Sequence, residues 1–269
     1  RETGDQRSET MIHEDFTRYH QFVGTYTAFS IFCILIAYAV TLLLGLLSLT
    51  SPAEPIGDPY FSLMEILIIV LAPLLVIAMI VIHGYAAPRQ KIFSLMALVF
   101  MIISACITSS VHFLILTVSR LLASSGFPWG TLFLSFEWPS VAYALDILAW
   151  DVFFALAMLS AAPVFTGGRL EKTIRVLMVV SGILSLAGLI GVPLADMSLR
   201  NIGIIGYVGI SLLIFPLLGL LFWRMRDSFP DRPEGDGADT DPFVNGATIN
   251  GETANATVGL VSNPIPLIC

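Results

Sequence analysis

Six uninterrupted apolar runs separated by short polar segments organise the chain, at about residues 22–49, 61–84, 92–119, 140–163, 174–194 and 202–223. Each is near the ~20 residues that a helix needs to cross the ~30 Å hydrocarbon core of a bilayer. Where no water can satisfy backbone N–H and C=O groups, a run of this kind closes its hydrogen bonds internally, so all six are expected to be helices. The first and third are longer than a span requires, which permits tilt. The expected fold is all-α: a polytopic bundle of six transmembrane helices. Residues 1–21 form an N-terminal segment, 22–226 the membrane domain, and 227–269 a polar, Asp-, Gly-, Asn- and Pro-rich tail expected to be disordered.

Composition agrees with the pattern. Over 269 residues, 56% are hydrophobic, only 12% are charged, and mean hydropathy is +0.86, against about a quarter charged in soluble domains. Net charge is −7, but Asp227, Asp231, Glu234, Asp236, Asp239, Asp241 and Glu252 all lie in the tail. No basic patch suited to nucleic acid is present. Cys33, Cys106 and Cys269 match no zinc, haem or redox spacing, and the first two are expected to be small buried hydrophobes. No metal and no cofactor is called for.

The connections give an orientation. The N-terminal segment, the second and fourth connections and the C-terminal tail hold eleven Lys and Arg residues, and the opposite face holds only Arg120 and Arg200. Basic residues are retained on the cytoplasmic side, so both termini are expected there, in the plasma membrane. The Asn255-Ala-Thr sequon would then face the cytoplasm and stay unmodified.

Against this apolar background, ionisable residues inside the spans stand out, because they need partners, water or a proton. The fourth run carries Glu137 at its start and Asp146 and Asp151 within it. At 1.5 Å per residue, Asp146 lies some 9–12 Å below the outer boundary and Asp151 near the midplane, while His112 on the third run is at the level of Asp146. Glu65 occupies the same outer third, and Asp196, Arg200 and Asn201 sit at the outer mouth. These positions point to an outward-facing polar pocket lined by Glu65, His112, Asp146, Tyr143 and Trp150. At ~100° per residue, Asp146 and Asp151 are about 140° apart, so the two acids are expected to face different spaces and the fourth helix to sit at the bundle centre. Expected pairs are Asp146 with His112 and Arg120 with Glu137. His83 is read as a snorkelling end residue. The aromatic connection 120–139, with Trp129 and Trp138, is expected in the outer interface, as a belt or as a lid over a cavity. Gly182, Gly188 and Gly191 on the fifth run and Gly203, Gly206 and Gly209 on the sixth favour close helix approach, and Pro73, Pro193 and Pro216 are candidate kinks.

Residues 149–191, including Ala-Trp-Asp-Val-Phe-Phe-Ala-Leu-Ala-Met and Ser-Gly-Ile-Leu-Ser-Leu-Ala-Gly, and residues 196–207, Asp-Met-Ser-Leu-Arg-Asn-Ile-Gly-Ile-Ile-Gly-Tyr, resemble a group of six-helix prokaryotic integral membrane proteins of unknown function. The resemblance covers the fourth to sixth helices. It implies an architecture and a prokaryotic plasma membrane, and no chemistry.

No His-Glu-x-x-His pair, Gly-x-Ser-x-Gly turn or phosphate-binding loop occurs. Three readings remain open. The first is binding or transport of a small solute or ion, proton-coupled through Asp146 and Asp151; six helices are few for a transporter, which raises a homodimer as the working unit. The second is a hydrolase or transferase acting on bilayer lipid, with His112 as base, Asp146 as orienter and Thr108, Ser109 or Ser110 as nucleophile. The third is an assembly subunit whose buried pairs are structural.

Overall fold

The computed structural model describes residues 16–51, 55–119, 121–122 and 129–228. Arg120, with its expected partnership to Glu137, lies outside the described residues, as do Cys269, the Asn255 sequon and the tail from 229. Six helices are long and apolar enough to cross a membrane: α1 (Arg18–Leu47), α2 (Tyr60–Tyr85), α3 (Pro88–Ser119), α4 (Val141–Val164), α5 (Arg169–Gly191) and α6 (Asn201–Arg224). Large apolar side chains such as Leu43, Ile66, Val99, Val176 and Leu213 cover the outside of the bundle, the surface a bilayer accepts and water does not. The chain is a multi-pass membrane protein.

Helices α1 and α5 begin four and five residues ahead of their apolar runs, at 18 rather than 22 and at 169 rather than 174, because polar residues cap them. Thr17 Oγ1 accepts from His20 N while His20 Nδ1 accepts from Thr17 N, a reciprocal cap that starts α1 at Arg18. Ahead of α5, Glu171 Oε2 accepts from Thr166 N at 3.1 Å and Gly167 N at 2.9 Å, so the helix includes its charged first turn. Similarly, Ser140 Oγ accepts from Tyr143 N at 3.1 Å and opens α4.

Consecutive helices pack as neighbours, and α6 returns against α1 to close the ring. Helix α4 packs on α3, α5 and α6 and has the most buried apolar stretch of the six. The connections α1–α2, α3–α4 and α5–α6 form the distal end of the bundle, and the described chain ends lie at the opposite, proximal end.

Besides 3-10 turns at helix ends, three π turns interrupt the regular winding among the described residues. Ile115–Ser119 in α3, Leu148–Phe154 in α4 and Ile205–Gly209 in α6 are π-helical, all at the middle or in the distal half of their helices. Such turns displace the i→i−4 ladder, and neighbouring hydroxyls can satisfy the carbonyls concerned. Ser104 Oγ on α3 donates to the Ala149 carbonyl at 2.9 Å, and Ser181 Oγ on α5 donates to the Gly206 carbonyl at 2.8 Å. Both acceptors lie within π turns, so the irregularities become links between helices.

The glycines locate the α5–α6 crossing. A Cβ on Gly188 would lie 2.9 Å from Gly203 Cα, and one on Gly206 would lie 2.7 Å from Ser185 N and 2.8 Å from Ser181 O. Close backbone approach of this kind is what small residues provide in lipid. Pro73 and Pro216 sit inside α2 and α6, whereas Pro193 falls in the connection after α5 and kinks no helix. Cys33 and Cys106 are exposed on the bundle surface, not buried, because each points outward from its helix. His83 does not snorkel; its Nδ1 shares a 2.8 Å hydrogen bond with Ser94 Oγ, and Lys91 Nζ donates to its carbonyl at 2.9 Å, fixing the α2–α3 turn.

Gly206→Leu is expected to overpack this crossing by ~1–3 kcal/mol and to lower the unfolding temperature in detergent by a few degrees or more. Gly209→Ala, whose Cβ would find its nearest neighbour at 3.7 Å, should leave it within error. Fluorescence-detected size exclusion after a heating series separates the two outcomes.

Candidate functional site

The distal half of the bundle buries five ionisable side chains in a continuous chain. Glu65 on α2 and His112 on α3 meet at 2.7 Å, Oε2 to Nδ1. His112 Nε2 lies 3.4 Å from Asp146 Oδ1 on α4, an ion-pair distance longer than a well-formed hydrogen bond. Arg200, in the residue before α6, donates from one terminal nitrogen to Asp146 Oδ2 at 2.8 Å and from Nε to Asp151 Oδ2 at 3.3 Å. Its guanidinium also covers the Tyr143 ring at 4.5 Å. All five charged or chargeable residues are under 9% exposed, and Asp151 is fully buried. The chain therefore joins α2, α3, α4 and the start of α6 through side chains alone.

Two placements correct the reading of the sequence. Arg200 is not a residue of the open mouth. The turn-rich connection Val192–Arg200 folds back on the end of α5, with Asp196 N donating to the Gly191 carbonyl at 3.0 Å, and its last residue is carried inward to 4% exposure. Asp196 does stay outside; it accepts from Ser198 Oγ at 2.5 Å and Ser198 N at 3.0 Å, bonds that hold its carboxyl below the usual range. The second correction concerns angle. Asp146 and Asp151 meet the same guanidinium because Leu148–Phe154 is π-wound, and an i→i+5 repeat brings residues five apart towards one face. The neighbours of the two acids nonetheless differ. Asp151 Oδ1 is pressed against Gly188 and Gly203, where any Cβ would overlap it or nearly so, and that oxygen has no hydrogen-bond partner.

Beside this chain lies a cavity of about 650 Å³, within the range of small-molecule sites. Side chains of α1, α2, α3, α4 and α6 line it, together with Leu134 to Glu137 of the α3–α4 connection. Glu65, His112, Asp146, Tyr143 and Arg200 occupy one wall, and most of the rest is apolar, including Leu35, Met64, Ile68 and Leu71. Trp150 also lines the cavity and stacks on Tyr207 at 5.3 Å. Phe136 lies 5.1 Å from the His112 ring, so the aromatic connection does cover part of the site. Glu137 reaches the cavity from an exposed position, and Trp129 and Trp138 remain exposed at the distal end. Asp151 lies behind the wall, outside the cavity lining.

Tyr38, Tyr207 and Ser211 line the cavity without having been read from the sequence. Each sits in an apolar run as one polar atom on a large or small residue, and the only available signal was its position in the helical turn. Ser211 Oγ is buried and has no hydrogen-bond partner. Glu65, His112 and Asp146 follow one another in line, and among the described residues no three His, Cys, Asp or Glu side chains are arranged to hold a metal.

No protein-family model matches the chain, and neither the curated proteins nor the solved structures contain a match.

Removing Arg200 would leave Asp151 without its countercharge and Asp146 with His112 alone. Arg200→Met is expected to cost ~3–5 kcal/mol, the range for breaking a buried pair from one side, and Arg200→Met/Asp151→Asn to recover part of it. Unfolding of both variants in the same detergent measures the recovery; an equal loss in the two would remove the charge balance as the cause.

Proposed function

We propose that this protein binds a small solute in the distal cavity and that the cavity faces the outside of the cell, as a site for uptake, export or sensing in the plasma membrane. The observation that carries the reading is the union of a cavity of about 650 Å³ with a buried chain of charged side chains along one wall. Intramembrane ionisable residues are costly and mark solute or proton paths. Orientation rests on the eleven-to-two division of Lys and Arg, which puts the proximal end in the cytoplasm.

The geometry does less for a lipid hydrolase. Both ring nitrogens of His112 face carboxylates, and none of Thr108, Ser109 or Ser110 lines the cavity. Ser110 Oγ instead donates to the Cys106 carbonyl at 2.8 Å in an exposed position.

Thiol labelling tests the proposal. With Cys33, Cys106 and Cys269 replaced by Ser, single cysteines at Tyr38 and Ile204, both lining the cavity, and at Met178, fully buried elsewhere, are exposed to a membrane-impermeant maleimide on intact cells. Labelling at 38 and 204 but not at 178 is the expected result. An inserted, folded protein labelled at neither cavity position, or labelled there only in inverted vesicles, would refute the outward cavity.

A further inference from the structure

We infer that the solute held in this cavity is an organic ammonium ion: a primary amine, protonated at neutral pH, attached to a compact apolar body. The inference rests on the cavity reading above and adds the charge and shape of the occupant.

Charge gives the sign. Both basic side chains of the cavity wall already face two carboxylates each. Arg200 is held by Asp146 through one terminal nitrogen, by Asp151 through Nε, and by the Tyr143 ring across its face. His112 lies between Glu65 and Asp146. An anionic headgroup would have to displace a carboxylate to reach His112, and could meet Arg200 only at its second terminal nitrogen, beside the carboxylates of Asp146 and Asp151. When all groups are ionised, the three buried carboxylates exceed the guanidinium and imidazolium by one negative charge, and Glu137 on the rim brings a second. No further Lys or Arg lines the cavity. A cation entering this space gains attraction in a medium of low dielectric, and an anion meets repulsion.

Aromatic and hydroxyl groups give the form. Tyr38, Phe136, Trp150 and Tyr207 present rings around the charged wall, and aromatic faces attract ammonium groups within about 6 Å. Ser211 Oγ is an independent sign of a ligand: it lines the cavity, is only 1% exposed, and has no partner. Buried hydroxyls are ordinarily paired, and an ammonium N–H supplies the missing donor. The apolar remainder, built from residues such as Leu35, Met64, Ile68 and Leu75, accommodates a hydrocarbon body and gives little to a small hydrated ion.

The same chemistry could arrive as a free amine or as the ethanolamine headgroup of a bilayer lipid. Calorimetric titration of the full chain in maltoside micelles at pH 7 tests the class with three probes of one size: hexylammonium, hexanol and hexanoate. Saturable binding of hexylammonium, with hexanol and hexanoate weaker by about tenfold or more, is expected. Glu65→Gln should weaken hexylammonium binding severalfold. Glu137→Gln, exposed and outside the buried chain, should weaken it less while leaving hexanol binding unchanged, and it keeps the test valid if the Glu65 variant does not fold. Equal or better binding of hexanoate or hexanol overturns the inference, as does unchanged affinity in a folded Glu65→Gln variant or no saturable hexylammonium binding at all. Thiol labelling at 38 and 204 reports separately on whether the cavity itself is open, so a failure of charge class and a failure of the cavity are distinguishable. Repeating the titration in nanodiscs with and without phosphatidylethanolamine assigns the source: competition by that lipid identifies the headgroup, and its absence the free amine. Either result upholds the ammonium class.

Discussion

A guanidinium in the interior of a membrane bundle is stable only if its charge is matched, and Arg200 is matched twice, by Asp146 and by Asp151. Taking such groups out of water costs several kcal/mol per ion, so the geometry around them has to be good. Much of the distal architecture follows from that requirement. The connection before α6 turns inward to deliver Arg200. Helix α4 is π-wound where its two acids must approach the same cation. Gly188 and Gly203 are bare because Asp151 fills the space that their side chains would take. Ser104 and Ser181 then bond the carbonyls of Ala149 and Gly206, within the π turns of α4 and α6.

The architecture was legible because lipid imposes a single rule on length and polarity. Six apolar runs became six helices; the early starts of α1 and α5 came from polar caps, Thr17 with His20 and Glu171, and that of α3 from a 3-10 turn at Pro88–Gln90, none of which a hydropathy pattern registers. Depth along a helix could also be counted, which is why Glu65, His112 and Asp146 were placed at one level. Angle could not. A fixed ~100° per residue separates Asp146 from Asp151, and no residue in Leu148–Phe154 announces a change to π winding. Arg200 was misplaced for a related reason: its apolar surroundings end at the span boundary, and nothing local shows that residues 192–199 fold back. The glycine-rich character of α5 and α6 was visible, but not that Asp151 occupies the gap it leaves.

Polar and apolar functions are divided along the bundle. The proximal half is closed by ordinary packing, with Phe16, Tyr85, Phe165 and Phe222 in mutual ring contact. These rings form an aromatic plug at that end of the bundle, away from the charged chain. If the distal cavity holds a solute, as proposed, its passage would require the plug and the cavity to change in turn.

Asp146 is where that coupling would have to act, because it is the one residue shared by both halves of the charged chain. One oxygen faces His112, whose other nitrogen holds Glu65 on α2, and the second oxygen faces Arg200, which leads to Asp151 and to the start of α6. A cation placed near Asp146 competes with both partners at once. Arg200 has a second carboxylate to fall back on, whereas His112 retains only Glu65. The two sides would therefore respond unequally to a cation bound as proposed: the α4–α6 link has Asp151 in reserve, and the His112–Asp146 contact, already 3.4 Å long, is the weaker of the two. Ser104 still joins α3 to α4 through the Ala149 carbonyl, so a cation bound as proposed would loosen the His112 contact without parting the two helices.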